Sequence, residues 1–279
     1  MLESQFEIVD LKSGIKSLRL IENNETFHPG IGPIAEANIL HVAQHRFAER
    51  VVPEQTFVLW DVGLGAAANV VAAIDALKDL SSPIEIHSFD RSLGALRFAL
   101  EHLDALDYLA PYHEAATRLM TEHVLQLTPH IRWFLHVGDF RDEMLNPNIP
   151  TPDSIFYDPY SPRGNVDMWN LDHFRNLRTR VGDTKTLILT NYTRATYVRV
   201  TWLLAGFFVG VGTSIGEKEE TSVASNSLDA LKAPLQDKFL QRVRVSHSSA
   251  PLRGPAYSTG PIDTVDCEAV MNHPQFQTH

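Results

Sequence analysis

The sequence predicts an α/β fold: a mainly parallel sheet of seven strands with helices on both faces, entered through an N-terminal β-hairpin and helix. Three observations carry this. From Phe57 to Val211, short apolar runs alternate with helical periodicities of about ten residues, the pattern of repeated βαβ units. Polar residues or glycines stand just past successive apolar runs, at Asp61-x-Gly63-x-Gly65, Asp90, Gly138-Asp139, Asp158-Pro159 and Asn191-Tyr192. The 279 residues, 44% hydrophobic and 21% charged, can bury a core without covalent staples. The single Cys267 excludes an intrachain disulfide and a cysteine-based metal cage.

The elements follow in order. Phe6–Leu20 reads as a hairpin turning at Lys12-Ser13-Gly14. The polar stretch Glu22–Gly32 ends in His28-Pro29-Gly30-Ile31-Gly32, a shaped loop. Apolar spacing predicts a helix over Ile34–Phe47. Strands follow at Phe57–Val62, Ile84–Phe89, Arg132–Val137, Asp153–Tyr157, Thr186–Leu189 and Phe207–Val211. Helices alternate with them at Ala66–Leu77, Ser92–Leu103 (Ser92 as N-cap), Ala110–Leu127, Met168–Arg180 and Arg194–Leu204. The region 228–243 holds a further helix; 246–261 is rich in Ser, Pro and Gly, and the last ten residues are expected to fray. The expected organisation is a preamble (1–50), a core (51–225) and a C-terminal extension packed on it (226–279).

Ligands of such sheets sit beyond the carboxyl ends of the strands. Gly63 and Gly65 end a strand and open a helix, where a missing Cβ lets the backbone approach a ligand. Asp90 ends the next strand, where a carboxylate can accept both ribose hydroxyls. This fits a dinucleotide, through Gly63-x-Gly65-x-x-Ala68, or S-adenosylmethionine (SAM). SAM is preferred because Asp61 suits a cationic cofactor and Asp139 suits an adenine amino group. The structural alternatives are a tight turn at the glycines and helix capping by Asp90 and Asp139. Asp158 ends an apolar strand before a rigid Pro-containing loop. It is the candidate catalytic residue, holding or deprotonating an amine nucleophile. Tyr157, Tyr160 and Trp169 are candidates to wall a flat substrate, or else core aromatics. His28 and Glu36 are candidates to line the pocket from the preamble, the bland alternatives being surface positions.

A formal charge of −10 argues against a general nucleic-acid binder, whose affinity rests on excess Lys and Arg. No apolar run spans a bilayer, and no basic-then-apolar leader opens the chain, so the expected setting is cytoplasmic. His41 and His45 share a helix face without a third ligand, so no metal is expected.

Several motifs in one order resemble a known family, from about Phe6 to Ala224. They are Glu25-Thr26-Phe27-His28-Pro29-Gly30 through Glu36-Ala37, Asp61-Val62-Gly63-Leu64-Gly65 with Asn69, and Asp158-Pro159-Tyr160-Ser161-Pro162 with Asn165 and Trp169. Thr190-Asn191-Tyr192-Thr193-Arg194-Ala195, Val198-Arg199, Leu204-Ala205-Gly206-Phe207 and Gly216-Glu217-Lys218-Glu219-Glu220 complete them. Together they are similar to the methyltransferase domain of the bacterial tRNA wobble-uridine enzyme MnmC and its stand-alone relatives. The resemblance implies a Rossmann-like class I SAM-dependent methyltransferase acting on the aminomethyl group of 5-aminomethyl-2-thiouridine in tRNA. It implies that Glu36, Gly63, Gly65, Asp90 and Asp139 serve the cofactor and that Asp158 faces the methyl acceptor. With no FAD-dependent partner domain in the sequence, the expectation is the methyl step alone. Ala66, Ala67, Pro159 and Glu219 depart from the family pattern. Candidate phosphate contacts are Arg163, Arg194, Arg199, Lys218 and Arg253, with Arg194 the one assigned to substrate. The other readings are a small-molecule amine as acceptor, an NAD-dependent oxidoreductase and a non-catalytic SAM-binding protein.

Thermal-shift assays decide the cofactor class. S-adenosylhomocysteine at about 100 times its dissociation constant is expected to stabilise the chain by about 2.7 kcal/mol, and NAD to leave the melting temperature unchanged.

Overall fold

The computed structural model of the chain describes residues 5–216 and 219–277. Lys218 lies outside the described residues. The strands are β1 (Phe6–Asp10), β2 (Lys16–Leu20), β3 (Glu25–Thr26), β4 (Phe57–Val62), β5 (Ile84–Asp90), β6 (Val124–Gln126), β7 (Ile131–Val137), β8 (Ser154–Tyr157), β9 (Ile188–Asn191), β10 (Phe208–Gly212) and β11 (Thr221–Ser225). The main sheet has eight strands rather than the expected seven. The chain divides into two compact units: Met1–Asp158 with Ser214–Glu219, and Pro159–Thr213 with Glu220–His279.

In the first unit β8, β4, β5 and β7 run parallel in that order, and β6 joins antiparallel to β7. All six residues of β4 are buried, as a parallel strand covered on both faces requires. The helix Ala68–Leu77 packs an almost wholly buried Ala- and Val-rich surface into the same core as Trp133, Leu135 and Phe156. β6 falls inside the helix expected over 110–127. His123 adopts φ 61, which stops the helix His113–Glu122 and turns the chain back as a strand. The hairpin forms as expected, with Phe6 opposite Leu20 and Gly14 at φ 78, and gains a third strand, β3.

The helix expected over 34–47 is broken up. Pro33–Ala37 and Ala43–His45 are α-helical, Asn38–Val42 is a π-helical turn, and Arg46 at φ 50 separates them from Phe47–Arg50. A π turn changes which side chains fall in line. Here His41 stacks on Phe156 at 4.5 Å and His45 meets the same ring edge-on at 4.9 Å. Ser92 is not an N-cap, because the helix there starts later, over Gly94–Leu100, without a side-chain cap.

The second unit holds β9, β11 and β10, all antiparallel neighbours in that order. β11, Thr-Ser-Val-Ala-Ser, carries too few large apolar residues to show as a strand in the sequence. Trp169, Phe174 and Trp202 form an edge-to-face aromatic core. The described turns through Gln277 are docked rather than frayed. Gln275 is buried, accepts from Val209 N at 2.7 Å and donates to the Val209 and Leu235 carbonyls at 2.8 Å. Together with the segment 233–235, which bonds to Val209 and Val211, this side-chain amide covers the outer backbone of β10. Arg199 is buried and donates to Ser222 Oγ, Glu220 Oε1 and the Thr221 carbonyl. It is therefore an internal tie and not the phosphate contact that its sequence position suggests. Replacing it by alanine leaves those acceptors without their donor. Arg199→Ala is expected to lower stability by about 3 kcal/mol in denaturant titration.

Candidate functional site

The site grows from the carboxyl end of β4. Gly63 at φ 92 and Gly65 at φ 52 make the strand-to-helix turn in the left-handed region. A Cβ on Gly65 would stand 3.0 Å from the Phe27 ring, so the turn is closed over by the N-terminal loop. Gly63 and Leu64 donate backbone N–H to Phe89 O, tying the turn to β5. Ala67 then takes φ 65 at the helix start, a conformation that favours glycine.

Asp90 clasps this turn. Its Oδ2 accepts from Gly65 N at 2.9 Å, and its Oδ1 accepts from Ser92 N at 3.1 Å. Burial raises its pKa, and the Gly65 amide opposes that shift. Asp61, one strand over, is fully buried. Its Oδ2 accepts from Ser88 Oγ at 2.9 Å, and Ser88 is in turn held by Trp133 Nε1 at 3.0 Å. Register explains the pair, since Asp61 of β4 lies directly beside Ser88 of β5. Asp61 Oδ1 has no hydrogen-bond partner. Burial raises the Asp61 pKa to about 7, and the neighbouring Asp158 and Asp90 add to the rise.

Asp158 follows β8. Its Oδ2 accepts from Asn69 Nδ2 at 3.0 Å. Asn69 is buried, and its Oδ1 also lacks a partner. A buried acceptor left unpaired costs about 1–3 kcal/mol. Asp61 Oδ1 and Asn69 Oδ1 are two such acceptors beside Asp158. They are the expected complement of a ligand that brings N–H donors or positive charge. The glycine turn and the Asp90 carboxylate likewise match a nucleoside with a ribose diol. The residues present thus fit SAM.

Glu36 closes the other wall. Its Oε1 accepts from Gly30 N and, at 3.0 Å, from Ile31 N, so the His-Pro-Gly loop is folded around this carboxylate. Glu36 is buried, not an exposed helical acid. His28, at φ 47, stands near enough to His41 to oppose its protonation, while Asp158 favours it. Burial dominates and lowers the His41 pKa to about 3. His45 shares hydrogen bonding with Ser154 Oγ at 2.7 Å. The two histidines pack the floor under β8. Among the described residues no group of three or more His, Cys, Asp or Glu is placed to hold a metal ion. No helix among them is long and apolar enough to cross a membrane.

Glu36, Asp61, Gly63, Gly65, Asp90 and Asp158 are thus drawn into one region of the first unit. Asp139 is engaged differently. It caps the helix Phe140–Glu143 through Arg141 N, accepts from the Arg141 guanidinium at 2.9 and 2.6 Å, and pairs with Arg91 at 2.7 Å. Arg141 above all holds its carboxyl below the usual range. The helix-capping alternative is therefore realised at this position. Tyr160, Trp169 and Arg194 belong to the second unit. Trp169 is fully buried against Phe174 and Tyr192, and Tyr157 of the first unit is likewise buried, so both are core aromatics rather than exposed substrate walls. Tyr160 is half-buried at φ 55 with its carbonyl accepting from Tyr192 OH, and Arg194 is exposed. The residue that sequence reasoning left without a role is Asn69. Its signal was a lone amide in the apolar run Ala68–Ile74.

This combination of fold and site defines a Rossmann-like SAM-dependent methyltransferase. Residues 107–227 match the family model described as S-adenosyl-L-methionine-dependent methyltransferase. The chain is similar to MnmC proteins. It is 28% identical over 203 residues to the tRNA 5-methylaminomethyl-2-thiouridine biosynthesis bifunctional protein MnmC of Burkholderia vietnamiensis, covering 67% of this chain and 30% of that protein. The protein of the same name from Ralstonia nicotianae is 28% identical over 216 residues, covering 72% of this chain and 32% of its own length. The chain spans about a third of these relatives. Its fold matches the crystal structure of MnmC2 from Aquifex aeolicus with a TM-score of 0.71 at 22% identity, over 97% of this chain and 85% of that one.

The Asp61 environment predicts a pH effect. The folded chain keeps a proton on Asp61 up to about pH 7, while the unfolded chain releases it near pH 4. Stability from this group is full below pH 4 and is lost as pH rises through 7. The buried histidines act in the opposite sense: His41 and His87, lowered to about 3, lose stability as pH falls below 6.5. The difference between Asp61→Asn and wild type isolates the carboxyl. Denaturant titrations of the cofactor-free proteins should show Asp61→Asn gaining on wild type steadily from pH 4 to 7.

Proposed function

We propose that this chain transfers the methyl group of SAM to the aminomethyl nitrogen of wobble 5-aminomethyl-2-thiouridine in tRNA. The observation that carries the reading is Asp158, a carboxylate fixed by Asn69 at the end of β8, beside the glycine turn. The names of the MnmC relatives supply the substrate class. In this reading the Gly63–Gly65 turn and Glu36 shape the cofactor pocket, and Asp90 takes the ribose hydroxyls. Asp61 faces the cationic amino-acid end.

The bound cofactor supplies a methyl group on a positively charged sulfur. The chain must bring a neutral amine to it. A protonated aminomethyl group has no lone pair, so Asp158 accepts a proton or a hydrogen bond from it and holds the nitrogen lone pair toward the methyl. With SAM bound, the amine would take the methyl from the sulfonium, leaving a neutral thioether, and Asp158 would accept the proton that the methylated amine sheds. Nearly all of the acceleration comes from position and orientation. The acidic rim of Asp61, Asp90 and Asp158 also favours the positive charges that meet there before transfer.

For tRNA, Arg163 and Arg194 of the second unit are exposed and are the candidate phosphate contacts among the described residues. Arg253 is committed to Asp266, and Arg199 is internal. A second reading, a small amine as acceptor, is favoured by the −10 net charge.

The test is methyl transfer from labelled SAM to bulk tRNA from cells lacking the modification. Label is expected in tRNA. Asp158→Ala should cut kcat by about 10²–10⁴ with the affinity for S-adenosylhomocysteine within threefold. Binding of tRNA should fall with salt, by about 0.9 in the log–log slope for each phosphate contact. A flat salt response with label only in small amines sinks the tRNA assignment.

A further inference from the structure

Asn69 occupies the second position of the helix that leaves the glycine turn. Its neighbours along that helix are Ala, Val and Ile, and no helical need explains an amide among them. Its partner fixes its orientation: the Asp158 carboxylate only accepts, so Asn69 presents Nδ2 to it, at 3.0 Å. The other end of the amide must then be Oδ1, which is shielded from water and lacks a donor. One side chain therefore gives a hydrogen bond to Asp158 and keeps an unused acceptor a bond length or two away. Asp61 Oδ1 repeats the pattern, as a second unpaired acceptor in the same cluster. Acceptors without donors, gathered beside a carboxylate, complement a ligand rich in N–H.

We propose that Asn69 has two roles in methyl transfer: through Nδ2 it is the positioning residue for Asp158, and through Oδ1 it accepts an N–H from a cationic amine. The amine is the α-ammonium of the cofactor or the amino group of the methyl acceptor, since both bring the same chemistry. An aspartate here would turn the donor into an acceptor and set a further negative charge against Asp158 and Asp61. A leucine would remove both functions. Only an amide supplies a donor to one side and an acceptor to the other without charge.

This inference rests on the SAM-methyltransferase reading, and the experiment separates the two. Wild-type protein is first titrated calorimetrically with S-adenosylhomocysteine and with 5′-methylthioadenosine, which lacks the amino-acid end. Failure of the wild type to bind either one overturns the functional reading itself. Asn69→Leu and Asn69→Asp are then compared for both ligands and for kcat and KM with the methyl acceptor. If Oδ1 takes the cofactor ammonium, Asn69→Leu weakens S-adenosylhomocysteine at least tenfold, leaves methylthioadenosine within twofold, and Asn69→Asp restores the binding. If Oδ1 takes the acceptor amine, both ligands bind as in wild type while KM for the acceptor rises at least tenfold in Asn69→Leu. In either case the positioning role requires kcat to fall at least tenfold in both variants, because both lose the donor to Asp158. Retained methylthioadenosine binding reports an intact fold, and Asn69→Asp carries the kcat test if Asn69→Leu does not fold. The proposal is overturned if Asn69→Leu weakens both ligands equally, or if affinity, KM and kcat all stay within twofold of wild type.

Discussion

The hydrogen bond from Gly65 N to the Asp90 carboxylate fixes the geometry on which the first unit depends. It joins the ends of two parallel strands across the point where the chain turns from β4 into a helix. With Gly63 and Gly65 in left-handed conformations, the two glycines bring no side chain to hold the turn. The clasp and the Phe89 carbonyl do so instead. The same carboxylate that secures the turn stands where a ribose can reach it. In the proposed function support and recognition share this one group, and the N-terminal loop, with Phe27 over Gly65, closes against a surface already set.

A second constraint is electrostatic. Three carboxylates, Asp61, Asp90 and Asp158, converge at one sheet edge, and two of them have pKa values raised first of all by burial. The protein meets this cost unevenly. Asp90 receives two backbone amides, Asp158 receives an amide side chain, and Asp61 receives only one hydroxyl. A site left short of donors and positive charge is one that a cationic ligand completes. Part of the acidity of the chain is thus local to this sheet edge. The Asp139 knot with Arg91 and Arg141 shows the opposite arrangement, a carboxylate whose charge is fully met by the protein itself.

Legibility in the sequence followed physical range. β4 was readable to the residue because a fully buried parallel strand must be a continuous apolar run, and Phe57–Val62 is interrupted only by Asp61. The Gly63-x-Gly65 turn and the strand-end acids were readable because each depends on residue type at a fixed local spacing. The π turn at Asn38–Val42 was not, and the ring on which its His41 stacks, Phe156, lies more than a hundred positions away. β6 was hidden inside a helical periodicity that a single left-handed residue, His123, cuts short. Arg199 and Trp169 looked like binding residues because charge and aromaticity are visible in a sequence while burial is not.

The sequence by itself determined the class of protein: the alternation of elements, the glycine turn, and acids at strand ends are all consequences of local periodicity and backbone freedom. The tertiary structure alone decided which of those acids remain available. Asp139 is consumed by two arginines, Asp61 is shut away with one oxygen unpaired, and Asp158 is aimed by Asn69 from a different segment of the chain. Those distinctions arise from contacts between residues far apart in the chain, and hydrogen-bond satisfaction and burial exist only once the chain has folded.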